Sequence, residues 1–177
     1  SAITDAQGAF MATLARHCGK AYAGRLISSD AADADMAGRA MVVHFRTCSP
    51  TRMAIPFHVQ NADGTWDRSR TWLITRTDDG LRLKHDHRHA DGSADAVTMY
   101  GGDTATSGSA GAQDFPVDAE SIAMFRANGL TASVTNMWRV EVDATTYAYQ
   151  LSREGRLFRV AFDLTAPVMP PPAPWGW

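Results

Sequence analysis

Apolar and polar residues alternate over short runs through most of this chain, and polar turns separate the runs. Six such runs occur between residues 22 and 104, at positions 22–28, 39–47, 52–60, 70–77, 81–88 and 96–103. The separators are rich in turn-forming residues, as in Asn61-Ala62-Asp63-Gly64 and Asp78-Asp79-Gly80. An alternation of period two between tight turns predicts antiparallel hairpins rather than strand–helix–strand units.

Two segments break this pattern with helical spacing. Residues 5–17 carry apolar side chains at helical intervals after a capping-box sequence at Thr4 and Gln7, and residues 119–128 follow a capping residue, Asp118. Three further alternating runs follow between residues 137 and 164. The pattern therefore predicts a helix before the first strands and a second one inserted before the last three.

About nine short strands need protected edges, and closure into one sheet is the economical way to protect them. We therefore predict a mainly β protein, an antiparallel up-and-down barrel that forms a single domain over residues 1–166. A sandwich of two sheets is the alternative. The small polar residues 104–114 predict a mobile loop, and the proline- and tryptophan-rich tail, 167–177, is expected to lie over the surface or to be disordered.

Composition narrows the classes of function. The chain has 177 residues, 45% of them hydrophobic, which suits one globular domain and excludes global disorder. Its net charge of −2 comes from interspersed charges, so no nucleic-acid partner is expected. No apolar run approaches the roughly 20 residues of a membrane span.

The two cysteines, Cys18 and Cys48, are either buried thiols or a disulfide, and we predict the disulfide. A C-x-x-C spacing is absent, which disfavours a metal site made by this pair. The chain begins with Ser1-Ala2 rather than Met, which is expected of a processed or engineered start with a leader already removed. A disulfide requires an oxidising compartment, so we expect a secreted or periplasmic protein.

The segment Leu81–His89 carries the clearest candidate chemistry. In a strand, His85, His87 and His89 share a face with Leu81 and Leu83, and the opposite face is charged throughout. The charged face is expected to be wet, so the three imidazoles should look into the barrel or along its mouth.

These histidines have two readings. Same-face neighbours lie roughly 6.8 Å apart, so His85 with His87, or His87 with His89, could bind a divalent transition metal such as zinc. A third ligand would come from a neighbouring strand, and His58 and His44 are the available histidines. The alternative is a polar cavity lining in which the imidazoles bond one another, water and carboxylates. In either case Trp72 and Tyr100 are the expected aromatic contributors to a ligand-binding surface.

The sequence Gly19-Lys20-Ala21-Tyr22-Ala23-Gly24 precedes the first strand. It resembles the glycine–aromatic–glycine start of lipocalin-like (calycin) barrels, with Tyr in place of the usual Trp. The hairpin meander after it is similar to that superfamily, although the helix here comes before the last three strands instead of after the barrel. The resemblance implies a cup-shaped barrel with an internal ligand cavity, and transfers no particular ligand or catalytic residue.

Three hypotheses about function follow. The first is a barrel that binds a small molecule or a metal ion in a histidine-lined cavity. The second is an enzyme that uses the same face to activate water on a metal or as an imidazole acid and base. The third is an extracellular interaction or inhibitor module that binds through its loops and tail. No nucleophile elbow, phosphate loop or dinucleotide fingerprint is present to decide among them.

Overall fold

Antiparallel strands dominate the computed structural model, which describes residues 5–177. Eleven strands occur within this range: β1 Ala21–Leu26, β2 Met41–His44, β3 Thr47–Cys48, β4 Arg52–Gln60, β5 Trp66–Arg76, β6 Leu81–His87, β7 Tyr100–Asp103, β8 Ala112–Pro116, β9 Met137–Val142, β10 Thr146–Arg153 and β11 Arg156–Val168. The helices are α1 (Asp5–Ala15) and α2 (Ala119–Ala127), with short 3-10 turns at Ala31–Met36 and Thr131–Thr135.

All the strands belong to one sheet, in the order β7-β6-β5-β4-β2-β1-β11-β10-β9-β8, with β3 paired to β4. The pairing of β1 with β11 joins the two ends of the chain, and every named pair is antiparallel. The prediction of an antiparallel barrel is therefore confirmed against the two-sheet alternative.

The barrel is nearly closed where β7 approaches β8. The amide of Asp118 donates to the Gly101 carbonyl at 2.9 Å, and the Gly101 amide donates to Ser121 Oγ at 2.8 Å. A Cβ atom on Gly102 would collide with the carbonyl oxygen of Pro116. Glycine at this position lets the two strand edges meet.

The structure corrects the prediction of a mobile loop over residues 104–114. The last part of that segment starts β8, in which Gln113 and Phe115 are fully buried. Gln113 Nε2 also donates to the carbonyl oxygens of Ser107 and Ser109, both at 3.0 Å, and so holds the preceding residues. The sequence did not predict β8 because the segment consists mainly of small polar residues and the strand has only two inward side chains, Gln113 and Phe115.

Both predicted helices are present. In α1, Phe10 and Leu14 are fully buried, as their spacing predicts. The helix ends at Ala15 rather than at residue 17, and the proposed cap residue Thr4 lies outside the described residues. In α2, the Asp118 side chain accepts from the Ser121 amide at 2.8 Å, which confirms the predicted cap.

Helix α1 and the mouth of the barrel lie at opposite ends of β6. Gln7 of α1 bonds Thr104 beside the first residue of β6, Leu81. The exposure of the inward side chains increases along β6. Leu81 and Leu83 are fully buried, whereas the His87 side chain is 27% exposed. The inward face therefore runs from an apolar core at the α1 end to a polar mouth at the other.

The C-terminal segment lies on the outside of the barrel. Strand β11 runs to Val168, two residues into the predicted tail. Beyond it, the Trp175 amide donates to the Arg68 carbonyl at 3.0 Å, Arg88 Nη1 donates to the Gly176 carbonyl at 2.8 Å, and Pro174 is buried. This segment therefore covers the outer surface of β5 and β6.

Cys18 and Cys48 form a disulfide, as predicted. The bond ties the turn that follows α1 to the short strand β3. The bond therefore holds the N-terminal helix at the end of the barrel opposite the mouth.

Candidate functional site

A cavity of about 220 Å³ lies at the mouth of the barrel. Its lining comes from β4, β5, β6, β7, β10 and β11, together with the 3-10 turn Ala31–Met36. The residues are Asp33, Met36, Phe57, Arg70, Trp72, His85, Tyr100, Tyr149, Leu151, Arg156 and Phe158. Three residues predicted from the sequence to bind a ligand, namely His85, Trp72 and Tyr100, are therefore brought together.

His85 is the polar centre of this cavity, and its bonds define its tautomer. Nδ1 lies 2.9 Å from the Tyr100 carbonyl oxygen, which can only accept, and Nε2 lies 2.7 Å from the Tyr149 hydroxyl. Burial lowers the pKa of His85 to about 4, so the ring is neutral near pH 7. A neutral ring that donates through Nδ1 must accept at Nε2, so Tyr149 donates to it.

Stacked aromatic rings form the walls. Trp72 stacks on Tyr149 with ring centroids 4.3 Å apart, and on Phe57 at 4.8 Å. Tyr100 stacks on the His85 ring at 4.5 Å. Because these rings come from five different strands, their arrangement is set by the closure of the barrel.

Two arginines add charge to the lining, and they are not equivalent. Arg156 bonds both carboxylate oxygens of Asp33, and its Nη1 also lies 3.0 Å from Asp30. These pairs hold the 3-10 turn across the mouth. Arg70 Nη1 donates to Asp67 at 3.1 Å, and Asp67 lies outside the cavity lining.

His87 and His89 do not share the cavity with His85. They line a separate open groove of about 430 Å³, together with Asp67, Arg70 and Asp95. His87 Nδ1 lies 3.7 Å from Asp95 Oδ2, and burial lowers the pKa of His87. Strand β6 ends at His87, so His89 is exposed in the following turn rather than on the strand.

The charged face of β6 is less wet than predicted. Arg82 is exposed, but Lys84 donates to Asp118 at the start of α2 over 2.7 Å, and its side chain is only 13% exposed. Arg88 binds Asp86 and the C-terminal segment. Helix α2 and the tail cover the outer surface here, and the sequence of β6 alone carries no sign of either.

His58 lies on the outer side of β4, away from His85. Its neighbours Phe57 and Val59 belong to the core, so alternation turns His58 outwards, and the register shift beside it places the extra residue in β5. His58 is fully buried, and burial lowers its pKa to about 4. Neither of its ring nitrogens has a hydrogen-bond partner among residues 5–177.

The possible metal site, in which His85 with His87 or His87 with His89 is joined by a ligand such as His58, is not assembled among residues 5–177. Within the described part of the chain, no group of three or more His, Cys, Asp or Glu side chains is arranged to hold a metal ion. His85, His87 and His89 lie in two separate depressions, and His58 faces the other side of the sheet. A metal ligated through His85 Nε2 would also have to displace the Tyr149 hydroxyl.

Sequence reasoning missed the other eight residues of the cavity lining, among them all three ionic ones: Arg70, Arg156 and Asp33. Arg70 carried a usable signal, because it alternates with Trp72 and Ile74 on the inward face of β5. Asp33 and Arg156 are 123 positions apart, and no local pattern connects them.

Other depressions lack this combination of groups. One of about 480 Å³ lies between the end of α1 and the turn from β9 to β10, and is lined by Arg16, His17, Asp143 and small residues. No helix within residues 5–177 combines the length and the apolar character that a membrane crossing needs.

Comparisons with known proteins return no family model and no curated protein that matches this chain. Among solved structures, a de novo designed fluorescence-activating β-barrel matches at 15% identity and a TM-score of 0.38, covering 85% of this chain and 96% of its own. A redesigned β-barrel, mFAP1, bound to DFHBI, matches at 14% identity and a TM-score of 0.37, covering 85% of this chain and 98% of its own. At these scores neither likeness carries an argument about this chain.

Proposed function

We propose that this protein binds a small aromatic molecule in the cavity at the mouth of the barrel. The observation that carries the proposal is the cavity itself, which is lined by Trp72, Tyr149 and Tyr100 and has a neutral His85 bonded at its centre. Small-molecule sites are typically concave, mostly apolar and furnished with a few fixed polar groups. This cavity combines aromatic and aliphatic side chains with the fixed polar groups of His85 and Tyr149.

The polar groups are positioned before any ligand arrives. His85 is held at both nitrogens, so its ring cannot rotate without breaking a bond. The Tyr149 hydroxyl is fixed in the same way, because it donates its proton to His85 and forms a side-chain hydrogen bond with Trp72. Rigid groups of this kind lose little conformational entropy on binding.

The size of the cavity sets the size of the ligand. At a share of about 30 Å³ per molecule of liquid water, 220 Å³ corresponds to roughly seven waters. One aromatic ring with a short substituent fits that volume, and a long lipid does not. A lipocalin-like origin is part of this proposal, since a cup-shaped barrel with an internal site is what that resemblance implies.

The expected compartment is a further part of the proposal. A Cys18–Cys48 disulfide supports a secreted or periplasmic location, because disulfides persist in oxidising compartments. Fractionation of the native host, with a cytosolic enzyme as the marker of leakage, tests this part separately.

Ligand-observed NMR with indole, catechol, benzamide, benzoate and 2-naphthoate tests the binding proposal. We expect at least one compound to bind wild type and to lose binding in Leu151→Trp, which fills the cavity. Leu157→Trp, on an exposed side chain of β11, is the matched control and should keep binding. If no compound binds, or if both variants behave alike, the proposal is wrong.

A further inference from the structure

We propose that the cavity selects a planar aromatic carboxylate, and that Arg70 binds the carboxylate group. This inference rests on the proposed function and narrows it to one chemical class of ligand. It follows from the charges of the lining, the position of Arg70 and the shape of the aromatic walls.

Arg70 is the charge on the lining that a ligand can use. The lining contains Arg70, Arg156 and Asp33 as its ionic groups near neutral pH, since His85 is neutral there. Arg156 and Asp33 neutralise each other through bonds to both carboxylate oxygens. Arg156 also binds Asp30, whereas Arg70 has the single carboxylate partner Asp67, so Arg70 is the cation of the lining that can still bind an anion.

The backbone register directs Arg70 inwards. Arg70 pairs with His87 and with Phe57 across its two neighbouring strands, and Trp72 pairs with His85 one inward position further along. Paired positions share a face of the sheet, so Arg70 lies beside Trp72 on the inward face of β5. Arg70 accordingly lines the cavity together with Trp72 and Tyr100.

The guanidinium of Arg70 retains donors for a ligand. Its hydrogen bonding to residues 5–177 consists of the bond from Nη1 to Asp67, and the Arg70 side chain is 34% exposed. Arginine presents several N–H groups in a fixed plane that matches the two oxygens of a carboxylate. Asp67, which lines the groove of His87 and His89, competes with a ligand for the Arg70 guanidinium and so weakens the binding of a carboxylate.

The aromatic walls supply the second half of the specificity. Trp72 is already stacked on Tyr149 and on Phe57, so a ligand ring would pack against the cavity side of this stack and not between its rings. A flat ring makes closer contact with aromatic side chains there than a branched aliphatic acid of the same charge. The carboxylate then projects towards Arg70 at the open side.

Benzoate, benzamide and benzamidine are the matched probes, because they share one ring and differ in charge. Isothermal titration, with tryptophan fluorescence as a second readout, should give benzoate at least about tenfold tighter binding than benzamide, and benzamidine the weakest. Cyclohexanecarboxylate, with the same charge but no flat ring, should also bind at least about tenfold more weakly than benzoate.

Variants separate an anchor from a structural residue. Arg70→Gln should remove the preference for benzoate over benzamide, and Arg70→Lys should keep part of it. Asp67→Asn should tighten benzoate alone, because it frees the guanidinium. Arg25→Gln, an exposed arginine on β1, is the control and should change nothing.

Two failures can be told apart. If indole or benzamide binds in a manner sensitive to Leu151→Trp, but benzoate binds no better and Arg70→Gln has no effect, the ligand class is wrong and the proposed function stands. If no compound binds wild type, both fall. A loss of all binding in Arg70→Gln, together with a loss of thermal stability that Asp67→Asn shares, would make Arg70 a structural residue and overturn the inference.

Discussion

Two buried tyrosines of the same strand differ in what their hydroxyls contact. Tyr149 donates to His85, whereas the hydroxyl of Tyr147 is fully buried and has no hydrogen-bond partner among residues 5–177. Burial raises the pKa of both. A buried polar group without a hydrogen-bond partner lowers the stability of the folded state, whereas a hydrogen-bonded one adds to it.

Tyr147→Phe is therefore expected to leave the free energy of unfolding unchanged or to raise it by about 1 kcal/mol. Tyr149→Phe should lower it by about 1–3 kcal/mol, because Nε2 of His85 then loses its donor. Urea unfolding followed by tryptophan fluorescence measures both. The reverse order of the two variants would contradict this account.

At the scale of elements, the closure of the barrel depends on a glycine between two strand edges. Gly102 of β7 faces the carbonyl of Pro116 in β8, where no Cβ atom fits. Gly8 offers a contrast within α1, since a Cβ atom there meets only the tip of Arg76, at 3.9 Å.

Gly102→Ala is expected to destabilise the protein by about 2 kcal/mol or more, because backbone must move to admit the methyl group. Gly8→Ala should instead stabilise it by up to about 1 kcal/mol, the usual gain for alanine over glycine in a helix. Thermal unfolding of the two variants provides the comparison. Equal effects would mean that β7 and β8 are not in tight contact in solution.

At the scale of the whole molecule, two buried neutral histidines make stability depend on pH. His58 and His85 have pKa values lowered from 6.5 to about 4 by burial, so the unfolded chain binds protons between these values and the folded chain does not. Their contribution to stability is present above pH 6.5 and is lost as the pH falls to about 4.

We expect each histidine to remove about 3 kcal/mol from the free energy of unfolding over this interval. His58→Met should reduce the slope by about one proton, and the exposed His89→Met serves as its control. Urea titrations at half-unit steps of pH measure the slope. If His58→Met leaves the slope at its wild-type value, the buried imidazole of His58 is not its source.

The disulfide also acts on the molecule as a whole. Denatured, non-reduced protein should contain no free thiol, and reduction should lower the free energy of unfolding by about 3–4 kcal/mol for a loop of this length. Thiol counting and unfolding with and without reductant test both parts. Two free thiols would contradict the bond between Cys18 and Cys48.

The sequence alone determined the elements and their class. The period-two runs and polar turns indicated antiparallel strands, and the helical spacing of Phe10 and Leu14 placed α1, because these patterns are local consequences of which face is buried. The alternation of side chains along β6 likewise predicted that His85 points inwards. The sequence also indicated Trp72 and Tyr100 as aromatic members of a ligand-binding surface.

Only the tertiary structure decided which of these residues meet. The cavity joins strands from both ends of the chain, and the Arg156–Asp33 pair and the Tyr149–His85 bond span 123 and 64 positions. The outward turn of His58 depends on the register of β4 against β5, and the end of β6 at His87 depends on the turn that follows. Such contacts arise from closure of the sheet, and no local pattern of side chains encodes them.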